Sequence, residues 1–203
     1  MAGDIDRVGK LTEEAIKEEF SPQQIVQDGF VTALNLVGEK YSAGEVFLPE
    51  MLMAGMAVSN AMQVLRPLLK EAGAVSQGTI VIGTVLGDVH DIGKNIVAMM
   101  CDGAGFQVID LGVDVPGSRF IEAAVRQKAD IIAMSALIST TRAQMAGIIR
   151  EIRTSELDHK IKVMVGGAPL TPEFAASIGA DGYAPDAGQA LKKAKELLGI
   201  APA

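Results

Sequence analysis

The residues best suited to chemistry stand in one short run, Gly87-Asp88-Val89-His90-Asp91-Ile92-Gly93-Lys94-Asn95. Asp88 and His90 are two apart, so in an extended loop their side chains point the same way. A neutral imidazole can give one ring nitrogen to a metal while its other N–H bonds a carboxylate. That carboxylate fixes the tautomer and raises the basicity of the ligand. His90 is thus a candidate metal ligand and Asp88 its orienting partner. Gly93 removes a side chain where a helix is expected to begin, so backbone can approach a bulky ligand closely. Taken alone, Asp-x-His also suits an ordinary surface turn.

The rest of the chain offers His90 few co-ligands. There are two histidines and one cysteine. His159 lies in the charged stretch Glu156-Leu-Asp-His-Lys and is expected to be solvated. Cys101 falls inside an expected helix and reads as a small core residue. A structural zinc site takes four protein ligands, and these residues do not provide them. If His90 binds a metal, that metal arrives in a macrocycle that supplies the remaining ligands.

Two kinds of element must position this run. The first seventy or so residues read as helices. Ile5, Val8, Leu11 and Ala15 recur at helical spacing. Ser21 suits a helix cap and Pro22 the first helical position. Val26, Phe30, Ala33, Val37 and Tyr41 form the apolar face of that second helix. After Ser42-Ala-Gly, Pro49 stands near the start of a third. Its expected buried stripe is Leu48, Leu52, Gly55, Val58, Met62, Leu65 and Leu69, with a kink or early end at Pro67. Helices joined by short loops imply a small antiparallel bundle.

Beyond Gly78 the pattern changes. Short β-branched runs at Thr79–Val85, Phe106–Asp110, Ile131–Met134, Ile161–Val165 and Asp181–Ala184 alternate with helices starting near Gly93, Gly117, Thr140, Thr171 and Asp186. Consecutive βα units require a parallel sheet with helices on both faces. Ligands of such sheets bind at the carboxyl ends of the strands, near the switch point. The fold expected is α/β, with an N-terminal helical bundle over residues 1–75. A flavodoxin-like (Rossmann-like) five-stranded parallel sheet follows over residues 76–203.

Bulk properties narrow the function classes. The net charge is −7 without a basic run, a poor match for nucleic acid or an anionic membrane surface. The start, Met1-Ala-Gly-Asp-Ile-Asp-Arg, has no apolar signal core, and no stretch suits a bilayer span. A cytoplasmic protein is expected.

The run at His90 resembles the cobalamin-binding signature Asp-x-His-x-x-Gly, followed by Ser-x-Leu and then Gly-Gly. Asp88/His90/Gly93, Ser135/Leu137 and Gly166/Gly167 supply all three in order. Gly93 and Ser135 are separated by 41 residues, and Leu137 and Gly166 by 28. The helical half, through Tyr41-Ser-Ala-Gly-Glu-Val-Phe-Leu48-Pro49, is similar to the cap of methionine synthase and of small corrinoid methyl carriers.

That resemblance implies a cofactor, cobalamin or a related corrinoid such as methylcobalamin, with His90 as the lower axial ligand of cobalt. It implies a relay His90–Asp88–Thr141. Gly87, Asp88, Val89, His90 and Asp91 would line the upper part of a slot for the nucleotide tail. Ser135 and Ser139 would bond that tail, Gly166 and Gly167 would leave room for it, and Ala187 would lie near its end. Tyr41, where methionine synthase carries phenylalanine, and Leu48 would cover the methyl face. A mobile joint near Ala72–Gly78 would let the cap move aside.

The function implied is carriage of a methyl group on cobalt between a substrate-specific methyltransferase and an acceptor methyltransferase. The substrates of such systems are methanol, methylamines, betaines or aryl methyl ethers, and a reductive activase is a further candidate partner. The chain has no room for a substrate barrel, so it is expected to be non-catalytic alone. The alternatives are a B12-binding module of a corrinoid mutase or regulator, or a flavodoxin-like interaction domain. The last leaves His90 unexplained.

Overall fold

The computed structural model describes residues 5–72, 76–155, 157 and 160–200. His159 and residues 73–75 of the joint expected near Ala72–Gly78 lie outside them.

The helical part begins with α1 (Ile5–Lys17), which packs on the long α4 (Leu48–Glu71). Of its expected apolar stripe, Leu11 is 52% exposed, and Thr12 turns inward instead. The buried hydroxyl of Thr12 donates to the Val8 carbonyl at 2.8 Å, which satisfies it inside the helix. Ser21 caps α2 (Pro22–Gln24) in a full capping box, with Pro22 in the first turn.

The chain then takes the π form over Ile25–Val31 before α3 (Thr32–Ser42). The wider i→i+5 turn advances the buried face by one position. Val31, Leu34 and Gly38 therefore follow Val26 and Phe30 inward, and Ala33, expected on that face, is exposed. In α4, Gly55, Val58, Met62 and Leu65 are buried as expected; Leu52 and Leu69 are half-buried, and Leu48 is exposed. Pro67 sits inside α4 without ending it.

The second part is a parallel sheet of β1 (Thr79–Thr84), β2 (Gln107–Asp110), β3 (Ile131–Ser135), β4 (Lys162–Gly166) and β5 (Gly182–Ala184). The order is β2-β1-β3-β4-β5. Strand alternation divides the core in two. Ile80, Ile82, Ile131, Ala133 and Met164 face the helical part, α5 (Ile92–Gly103) and α9 (Ala187–Leu197). Val81, Ile132, Met134, Val163 and Val165 face α6 (Gly117–Gln127), α7 (Ala143–Arg153) and α8 (Pro172–Ser177).

Strand bounds differ from expectation by a residue or so. Phe106 precedes β2 as a buried core residue, and Ser135 and Gly166 close their strands rather than follow them. The helix expected near Thr140 begins at Ala143. The intervening turn is bound to Asp88, as described below. Cys101 is buried in α5, as its helical placement suggests.

The chain leaves β1 for β2 on one side and reaches β3 on the other, so the sheet reverses direction between β1 and β3. The crevice at their carboxyl ends is where such a fold binds ligands. The helical part closes over it, with α4 against α5 and α3 against α9. No described helix is long and apolar enough to cross a membrane.

Candidate functional site

Between β1 and α5 the backbone is held on several sides. Gly87 has φ 84°, and its N–H donates to Asp114 Oδ1 at 2.7 Å. Asp114 itself has φ 55°, a region that Asp tolerates better than most residues. Its N–H returns a bond to the Asp88 carbonyl at 2.9 Å. Asp114 thus ties down both Gly87 and Asp88 across the loop.

Asp88 has no solvent exposure. Its Oδ1 accepts from His90 Nδ1 at 2.7 Å and from the His90 N–H at 3.1 Å. Its Oδ2 accepts from the N–H groups of Leu137 (2.7 Å) and Ile138 (3.1 Å). The Thr141 hydroxyl lies 3.0 Å from the same oxygen and 2.8 Å from the Ile138 carbonyl. A hydroxyl has one proton, so Thr141 serves one of these acceptors at a time.

Burial by itself would raise the carboxyl pKa of Asp88. The bonds from the His90 ring, the Leu137 and His90 backbone and Thr141 outweigh it, and hold the group far below the usual carboxylate range. An ionised carboxylate only accepts, so the His90 ring must donate from Nδ1. In the neutral ring the lone pair is then on Nε2. His90 has a side chain 49% exposed and stands at the edge of a cavity of about 370 Å³.

The sequence-predicted residues distribute around this cavity in an orderly way. Val89, His90 and Asp91 line it from the loop after β1, Gly93 from the first turn of α5, and Ser135 and Leu137 from the end of β3. Gly166 and Gly167 line it from β4, Ala187 from the start of α9, and Tyr41 and Leu48 from the helical part. Gly87, Asp88, Ser139 and Thr141 are not on its wall. Asp88 and Thr141 stand behind His90 in the hydrogen-bonded cluster, whereas Ser139 is exposed in the following turn.

The glycines have distinct reasons. A Cβ on Gly167, at φ 129°, would come within 1.9 Å of the Ala136 carbonyl oxygen, so the β3 loop occupies the space of the missing side chain. A Cβ on Gly93 would meet nothing within 4 Å. No protein neighbour demands glycine there, which suits a ligand that approaches the backbone.

Sequence reasoning passed over several residues of the site. Lys94 has a side chain only 2% exposed and lines the cavity. Its Nζ donates to Asp110 Oδ2 at 2.5 Å and Asn95 Oδ1 at 2.6 Å, tying the first turn of α5 to the end of β2. Asn95 in turn donates to Asp91 Oδ2 at 3.1 Å. A lysine in a first helical turn reads as solvated, and only its place in the Gly93-Lys94-Asn95 run could have drawn notice. Asp114 and Thr84 carried no signal in the sequence at all.

Around His90 the surface is apolar. Val89 is 69% exposed, Ile92 59% and Leu137 46%, a patch that a broad ligand lying across the mouth would cover. No cluster of three or more His, Cys, Asp or Glu that could hold a metal exists among the described residues. One outward imidazole nitrogen, an apolar floor and a small-residue slot fit a metal carried in a macrocycle with a pendant tail. They do not fit a bare ion.

Comparison with known proteins adds a separate line. A family profile described as B12 binding domain matches residues 78–192, and a second profile of the same description matches residues 1–66. The chain is 45% identical over 186 residues to dimethylamine corrinoid protein 1 of Methanosarcina acetivorans, covering 91% of this chain and 87% of the relative. Its fold is similar to the crystal structure of a cobalamin-binding protein from Desulfitobacterium hafniense, with TM-score 0.82 and 27% identity over 96% of this chain and 93% of the other. It is also similar to a chain of the methanol:cobalamin methyltransferase complex of Methanosarcina barkeri. There the TM-score is 0.79 at 28% identity, over 98% of this chain and 76% of that one.

Proposed function

Because the chain belongs to the family of B12-binding corrinoid proteins, we propose that it is the methyl-carrying component of a cytoplasmic methyltransferase system, serving a substrate-specific methyltransferase and an acceptor methyltransferase in turn. A methylated amine or alcohol is the substrate class favoured by the relatives. Dimethylamine names one, and methanol names the complex that contains another. A reductive activase is part of the same proposal, as is the division into a cap over residues 1–75 and a cofactor domain over residues 76–203.

One observation carries this reading. His90 is gripped through Nδ1 by the buried Asp88 and leaves Nε2 open at the mouth of the cavity. When bound, the corrinoid supplies the methyl chemistry through its cobalt. His90 Nε2 would hold the cobalt. Asp88 Oδ1 keeps the proton on Nδ1, which maintains Nε2 as a donor of electrons. Asp88 Oδ2 and Thr141 Oγ1, 3.0 Å apart, form the next step of a path along which a proton could be held or released. Ser135, Gly166, Gly167 and Ala187 would flank the tail. Tyr41 and Leu48, on the wall supplied by the helical part, would keep water from the reacting methyl group.

The test is reconstitution with hydroxocobalamin followed by reduction. The loaded protein should take a methyl group from methyl iodide, seen as the change in its visible spectrum. It should take none from methanol or a methylamine until a partner methyltransferase is added, since general acid assistance typically contributes about two to four powers of ten, and the carboxylates on the cavity wall, Asp91 and Asp186, are engaged as acceptors by Asn95 and by Ser42 and Gln189. Turnover with such a donor and the purified protein alone would show a substrate site of its own.

A further inference from the structure

Thr84 is the last residue of β1 and has no solvent exposure. A hydroxyl buried so completely needs a partner. It donates to the carbonyl oxygen of His90 at 2.9 Å, six residues further along the chain. The backbone of Thr84 is itself fixed on the β2 side. Its N–H donates to the Gly112 carbonyl, and its carbonyl accepts from the Val115 N–H, both at 3.0 Å. The hydroxyl is therefore mounted on the rigid end of a central strand.

The polar atoms of His90 can now be assigned one by one. Its N–H and its ring Nδ1 both go to Oδ1 of Asp88. Two bonds that converge on one atom define a single pivot. They set how far the imidazole lies from Asp88, but they do not set the direction in which it faces. The His90 carbonyl is the remaining handle, and Thr84 holds it from a different element. A pivot and a second point together fix the orientation of the residue. We infer that Thr84 is a positioning residue for the axial ligand: its hydroxyl aims Nε2 of His90 at the cofactor. The inference rests on the reading of His90 as cobalt ligand, and adds to it a source of orientation independent of the Asp88 carboxylate.

The substitution that isolates this bond is Thr84→Val, which keeps the shape and removes the donor. Thr84→Ser is the rescue, because it keeps the hydroxyl. Thr84→Ala covers the case in which valine fails to fold. All are loaded with cobalamin, reduced to the Co(II) form, and read by electron paramagnetic resonance. The nitrogen splitting reports imidazole on cobalt.

In the parent and in Thr84→Ser the splitting should be uniform. In Thr84→Val or Thr84→Ala the ratio of ligated to unligated forms should fall about fivefold, which is the worth of one ordinary hydrogen bond. A second readout needs no cofactor. The His90 ring nitrogen resonances of the apo-protein should be single in the parent and in Thr84→Ser, and spread or broadened in the valine variant. A parent that shows no nitrogen splitting overturns the ligand reading and this inference together. A parent that shows it, with an unchanged ratio and unchanged ring resonances in the valine and alanine variants, overturns the role of Thr84 while His90 stands.

Discussion

Gly38 of α3 and Gly188 of α9 touch backbone to backbone. A Cβ built on Gly38 would lie 2.8 Å from Cα of Gly188, and one built on Gly188 would lie 2.6 Å from Cα of Gly38. Near this crossing, the Ser42 hydroxyl donates to Asp186 Oδ2 at 2.9 Å. The helical part is seated on the rim of the cavity at this notch. Tyr41 stands one turn beyond Gly38 and so reaches the cavity wall.

Gly38→Ala should therefore force the two helices apart. We expect a loss of about 1–3 kcal/mol, the usual cost of overpacking, measured by urea unfolding of the apo-protein. Gly29→Ala is the control. Its Cβ would meet nothing within 4 Å, so it should be neutral or slightly stabilising. Equal effects of the two substitutions would mean that the crossing yields without cost.

Asp88→Asn should be costly even without cofactor. Both carboxylate oxygens accept from N–H donors, and an amide must turn an NH₂ group toward one of those sets. A buried donor facing donors costs about 1–3 kcal/mol. Unfolding of the apo-protein would show the loss, and nitrogen resonances would show which way the amide turns, the His90 ring losing its proton from Nδ1 when the NH₂ group faces it. A variant as stable as the parent would mean that the cluster is hydrated or relaxed.

Tyr41 and Leu48 both line the cavity that His90 borders, Tyr41 half-buried and Leu48 42% exposed. Replacing both with Ala should leave cobalamin bound, since the slot residues are untouched. With methylcobalamin loaded, photolysis should proceed severalfold faster, because the light-generated radicals are less confined. Equal photolysis rates in the two proteins would count against a lid at these positions.

Burial pushes the Cys101 thiol up to about 12, with the nearby Asp102 charge adding to the effect and Lys195 opposing it. The value is raised, so the stability this group contributes is complete below the ordinary thiol range. It is lost as pH rises through the folded value. Between about pH 8 and about pH 10 the parent should lose about 1.5–2 kcal/mol more than Cys101→Ala. The native thiol should also resist alkylation at neutral pH and react only on unfolding. Rapid native labelling would contradict its burial.

The parallel sheet and the His90 cavity were legible because periodicity, capping and motif spacing agree there. Ser21 and Pro22 cap α2 as their types suggest, and the strands fall within a residue or so of the expected bounds. The misplaced face of α3 has a definite cause. A template of 3.6 residues per turn cannot register the π segment Ile25–Val31, so it carries Ala33 inward in place of Leu34. Thr12 was missed because its hydroxyl is satisfied by its own helix, which periodicity scores as polar. Thr84, Asp114 and the Lys94–Asp110 pair were missed for another reason. Each acts on a partner from a different strand or loop, and pairings of that kind exist only once the sheet is formed.

Helix α4 links two places that are far apart. It begins at Leu48 on the cavity wall and continues through Pro67 to Glu71, 24 residues in all. At about 1.5 Å of rise per residue, roughly 28 Å separate Leu48 from Pro67. Proline leaves one hydrogen bond of the helix unmade at that distant end, the natural place for an angular change. Over such an arm, a tilt of about 10° at the proline would carry Leu48 about 5 Å. A change of angle at the proline would therefore be felt least beside Pro67 and most at Leu48, on the cavity wall.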